Sequence, residues 1–239
     1  MSHFATHSGH SSHGPRRNLG GLARTLMVIA GFLFLTGGPI AYILWPRWPE
    51  PVALDAPALP ITIAGVPFTV PPAAIRVAMQ RRTGVQERID LVFLWPSLAP
   101  PDPAAKPAST EAPQLTDRVF VTIAVSDSTP PPLERLNTIY PRYFAGDPTA
   151  GPNGLLLRAF RHETPYQGED LLYEAAAPEN FLVRCTRAIG PAPGMCLHER
   201  RLANADIIVR FPRDWLSDWR TVASGIDRLI ANLRPRSAR

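Results

Sequence analysis

The stretch FLVRCTRAIGPAPGMCLHERR, residues 181–201, holds both cysteines of the chain and reads as two strands around a Pro- and Gly-containing turn. A spacer this short joins antiparallel neighbours, because a parallel return needs a crossover of a dozen or more residues. If the strands pair with Cys185 opposite Cys196, then Phe181, Val183 and Cys185 share one side with Cys196, His198 and Arg200. Directly opposed residues of this kind have Cα atoms about 4.5 Å apart, within reach of a disulfide. A structural bridge is therefore expected; closing so small a loop stabilises by about 3 kcal/mol in the chain-entropy model. A redox pair is the rival, but the spacing is not the C-x-x-C that places one thiol at a helix N-terminus.

The same pattern extends on both sides. Strands are expected at 155–162, 169–176, 181–187, 194–201 and 206–211, separated by Pro165–Gly168, Pro178–Asn180, Gly190–Gly194 and Ala203–Ala205. This is an antiparallel meander. Upstream, ITIAGVPFTV (61–70) flanks an Ala64-Gly65 turn, a short helix is expected from Pro71-Pro72 to about Gln80, and RIDLVFLW (88–95) reads as a strand buried on both faces. DRVFVTIAV (117–125) alternates, with Val119, Val121, Ile123 and Val125 on one face; a short helix over 133–140 follows. Downstream, Trp215, Leu216, Trp219, Val222, Ile226, Leu229, Ile230 and Leu233 recur at threes and fours. They predict an amphipathic helix that opens near Pro212 and packs on the sheet. The fold class expected is α+β, a mostly antiparallel sheet with a C-terminal amphipathic helix.

Before this domain stands TLMVIAGFLFLTGGPIAYILWP, residues 25–46, without a charge. As a helix it is roughly 33 Å long, sufficient for one transmembrane span. Arg16, Arg17 and Arg24 precede it, whereas only Arg47 follows closely, which places the N-terminus in the cytoplasm and the domain in the periplasm of a bacterial inner-membrane protein. A cleaved signal peptide would need a site near Ala56 and Ala58, too far beyond the apolar run. The expected organisation is a disordered His-rich tail (1–24), the span (25–46), a Pro-rich stalk (47–60) and an exported domain (61–239). Within that domain a flexible Pro-rich loop is expected at 96–116.

Charge and motifs bound the function. The pI of 9.8 does not indicate nucleic-acid binding, because three basic residues precede the span and the exported part is close to neutral. His3, His7, His10 and His13 are weak candidates for a metal site; the compositional reading is a tail with no metal, and no cofactor is expected. No nucleophile elbow, zinc-protease motif, phosphate loop or dinucleotide fingerprint occurs, so no catalytic residue is assigned. His162, Glu163, Glu169 and Asp170 flank one hairpin turn and read as solvated turn residues before they read as metal ligands. Two function classes follow. One is a membrane-anchored envelope protein, contacting the lipid bilayer through its span and binding or assembling with another envelope protein. The other is an exported enzyme or small-ligand binder that gathers distant groups such as Glu174, His198 and Arg200. A flat domain with an exposed apolar patch favours the first; a concave pocket with converging polar groups favours the second.

Overall fold

The computed structural model describes residues 27–32, 52–102, 117–188 and 194–235. The chain divides into two units, Met1–Pro49 and Glu50–Arg239. In the first, residues 27–32 are helical and exposed. No described helix is long and apolar enough to cross a membrane; the rest of the expected span at 25–46, and the tail with His3, His7, His10 and His13, lie outside the described residues.

The second unit is a mixed α+β domain. A hairpin of β1 (Leu59–Ile63) and β2 (Val66–Val70) turns at Ala64 and Gly65, both at positive φ, and β3 (Gly84–Val85) joins β1 in parallel. The folded part therefore starts inside the expected stalk at 47–60. The large sheet comprises β4 (Arg88–Leu94), β5 (Arg118–Val125), β6 (Thr149–Ala150), β7 (Leu155–Ala159), β8 (Glu169–Glu174), β9 (Leu182–Thr186), β10 (Met195–Leu202) and β11 (Ala205–Pro212). Its order is β4-β5-β11-β10-β9-β8-β7-β6, antiparallel throughout. The expected meander is the β7-to-β11 run. Its central register is the one the sequence implies: Cys185 opposes Cys196, Val183 opposes His198, and the cysteines form a disulfide.

Period-2 alternation divides the sheet's residues between two covers. On one face Ile89, Leu91, Val121, Ile123, Val183, Val209 and Phe211 form a single core with the buried stripe of α2 (Trp219–Leu233). Helix α2 reaches that face closely because Gly225 lacks a Cβ; one there would sit 2.5 Å from the Trp95 ring, which itself stacks on Trp215 at 5.0 Å. The small β1–β2 sheet joins the same core through Ile61, Ile63, Phe68 and Val70. On the other face, below α1 (Pro132–Thr138), Tyr140, Phe160, Leu171 and Leu182 form a second, aromatic cluster.

Four expectations change. The segment expected to form a helix to Gln80 is two 3-10 turns, Pro72–Ala74 and Ala78–Gln80, separated where Ile75 bridges to Leu91. β4 is an edge strand, with Arg88 exposed and that 3-10 segment along its rim. Val125 is exposed, because β5 runs past the end of the core. The C-terminal helix begins at Trp219: Pro212 ends β11, and Arg213–Asp218 is 3-10. Of the Pro-rich loop expected at 96–116, residues 103–116 lie outside the described residues.

Candidate binding surface

The polar residues that a catalytic reading would need do not converge. His198 is 3% exposed beneath α2, stacked on Phe181, and its Nδ1–H donates to the Leu182 carbonyl at 3.1 Å. Burial pulls its pKa down to about 4, with Arg200 acting in the same direction, so it is neutral in the folded protein. Arg200 itself reaches Asp227 on α2 at 2.6 Å, and Glu174 accepts from Asn180 at 3.3 Å. Each of the three has its own structural partner.

The acidic hairpin resolves in the same way. Asp170 is held by Arg187 at 2.9 Å and by Arg213 at 2.6 Å, and Glu169 pairs with Arg184 at 2.7 Å. These arginines use the carboxylates that a metal would require; His162 and Glu163 stay in the exposed turn. Among the described residues no group of three or more His, Cys, Asp or Glu is placed to hold a metal ion.

A cleft of about 490 Å³ opens at the C-terminal end of α2, between Pro71, Phe93, Leu98, Leu229 and Leu233. Arg234 is the one charged side chain among its described lining residues. It offers apolar volume without an acid–base pair.

A different arrangement surrounds residues 76–88. Here the backbone is fixed by polar bonds, not by core burial. The Arg76 amide donates to the Asp90 carbonyl at 2.9 Å, and the Asp90 amide to Gln80 Oε1 at 2.8 Å. Gln80 Nε2 returns a bond to the Asp90 carboxylate at 3.1 Å. The buried Gln86 side chain donates to the carbonyls of Gln80 and Arg82 at 3.1 and 2.7 Å. Arg88 and Thr122 complete the shell of Asp90, and the hydrogen bond from Arg88 is the largest influence holding its pKa down at about 2. Because the polar side chains face inward to make these bonds, the apolar ones are left outside. Val77 is 42% exposed, Val85 81% and Met79 87%, around a shallow groove of about 710 Å³. Arg82 and Glu87 stand on its rim.

The sequence reading missed this surface. Its one local signal is the interleaving of Val77, Met79 and Val85 with Arg76, Arg81, Arg82 and Arg88, which an expected helix over 72–80 obscured.

By architecture the domain belongs to the α+β class in which one helix lies across an antiparallel sheet. No protein-family model and no curated protein matches the sequence. Among solved structures, an immunity protein of the Stenotrophomonas maltophilia type IV secretion system is similar at 15% identity and a TM-score of 0.53, over 79% of this chain and 100% of that one. The iron-regulated outer membrane lipoprotein FrpD of Neisseria meningitidis aligns at 10% identity and a TM-score of 0.40, over 77% and 97% of the two chains. At this identity the first likeness shows a shared fold.

Proposed function

We propose that the domain is a protein-binding module of the bacterial envelope, held at the periplasmic face of the inner membrane by the 25–46 segment with the N-terminus in the cytoplasm. The observation that carries the reading is the Val77–Met79–Val85 surface: three apolar side chains kept in water by a hydrogen-bonded frame. Burying such side chains against a partner contributes roughly 1.5–3 kcal/mol each, whereas leaving them exposed brings the free domain nothing. The disulfide fits an oxidising compartment. The fold shared with a secretion-system immunity protein is compatible with a binding role and does not carry it. The alternative, an exported enzyme or small-ligand binder, would use the cleft beside Leu229, whose described lining offers Arg234 and no acid–base pair.

Crosslinking in living cells, followed by mass spectrometry of what co-purifies with the full chain, tests the reading. A reproducible envelope protein is expected; no partner at native abundance would count against it. Alkaline phosphatase fused after Arg239 should be active, and an inactive fusion would reverse the orientation.

A further inference from the structure

We propose that the groove at residues 77–88 docks an acidic protein segment, whose apolar side chains enter between Met79 and Val85 while its carboxylates meet Arg82. The inference rests on the binding reading above and adds the partner's chemistry. Residues 76–88 contain Arg76, Arg81, Arg82 and Arg88 against Glu87, a net charge of +3, whereas residues 47–239 as a whole carry +2. The rest of that region is thus slightly acidic, and its excess positive charge is concentrated in the segment that carries this groove, with Arg82, Arg88 and Glu87 among the lining residues.

Arg135 and Arg184 are matched to carboxylates, those of Glu199 and Glu169. Three of the four arginines at 76–88 are not. Arg81 donates to the Ile75 carbonyl at 3.0 and 3.2 Å, Arg76 lies over the Phe120 ring at 4.9 Å, and the Arg82 guanidinium has no partner among the described residues. Only Arg88 has a carboxylate, that of Asp90. A partner that supplied carboxylates would gain charge-assisted bonds to Arg82 and would be steered toward the groove over a Debye length.

The same charge argues against other occupants. A second copy meeting this surface about a two-fold axis would bring two segments of net charge +3 together. A lipid surface would meet Arg82 but would leave the concavity between Met79 and Val85 unfilled. A protruding apolar side chain on an acidic protein fills the groove while a neighbouring carboxylate pairs with Arg82.

The test places a photo-crosslinking residue at Met79, at Val85 and, as a control, at exposed Thr221 on α2, in the full-length chain in cells. The expected result is one protein adduct at both 79 and 85, through a segment of net negative charge. Affinity for that purified protein should fall by about tenfold or more in Arg82→Glu and in about 0.5 M salt, with Arg82→Lys retaining most of it. The thermal midpoint of Arg82→Glu should match the parent, which separates lost docking from lost folding. Adducts to lipid, to a second copy or to a basic segment overturn the proposal. So does wild-type binding to phosphatidylglycerol vesicles that Arg82→Glu abolishes. An adduct at 221 with none at 79 or 85 overturns the groove and leaves the binding reading intact; no adduct at any position overturns both.

Discussion

Across β8, β9 and β10, neighbouring residues of one strand meet opposite chemistry. Val183 and Cys185 lie in the apolar core beneath α2, with Phe181, Trp219 and Ile226. Arg184, between them, turns to the other face, where it reaches Glu169 and lies over the Tyr166 ring at 5.2 Å. There Arg135, 8% exposed, pairs with Glu199 at 2.5 Å beside Tyr140. One face is held by area removed from water; the other balances desolvated charge against close pairing. The first tolerates reshaping by a methyl group better than it tolerates a charge. On the second, losing one partner costs more than losing both.

The largest effect should come from Trp219→Asp, which puts a carboxylate into the α2 core; we expect loss of stable accumulation, read from yield and thermal denaturation. An abundant, cooperative variant would mean that this face is not the main support. Next comes Glu199→Ala, which leaves Arg135 buried without its carboxylate and should cost about 3–5 kcal/mol in urea unfolding. The double replacement Arg135→Met with Glu199→Leu should recover most of that loss, and failure to recover it would show the pair to be an asset in itself. Replacing both cysteines by alanine should cost about 2–3 kcal/mol, equal to the effect of reductant on the parent. Free thiols in the oxidised native protein would contradict the bridge.

A pH series probes the apolar face without mutating its aliphatic wall. His198 has a folded pKa of about 4 against an ordinary 6.5, with Arg200 and Asp227 as the nearby charges. Between those values the unfolded chain binds the extra proton, so stability is complete above about pH 6.5, declines toward pH 4, and changes no further from this group below it. The loss is at most about 3 kcal/mol, and His198→Leu should flatten the profile in that window. The smallest effect is expected at the groove: Met79→Ser and Arg82→Ser should shift stability by less than about 0.5 kcal/mol, because neither side chain supports the fold. A larger loss would make those residues part of the domain's own packing.

The meander was legible in the chain because apolar runs of strand length, alternating clearly in β11, are separated by breaks that each carry Pro, Gly or Asn. The α2 stripe was legible because all its apolar positions point one way over four turns. The 72–80 segment was not. Its composition suits a helix, but bonds from Asp90 and the Ile75–Leu91 bridge, ten to sixteen positions distant, hold it as two separate turns along an edge strand.

Local order therefore came from the sequence alone: strand and helix periods, the Cys185–Cys196 register, and the uncharged 25–46 run, all of which depend on residues close in the chain. Tertiary structure alone decided which side chains stay in water. Exposure at Met79 and Val85 arises because Gln80 turns inward to Asp90 and Gln86 to the carbonyls of Gln80 and Arg82; these partners are near in the chain, but no periodicity in the stretch marks which polar side chains turn inward.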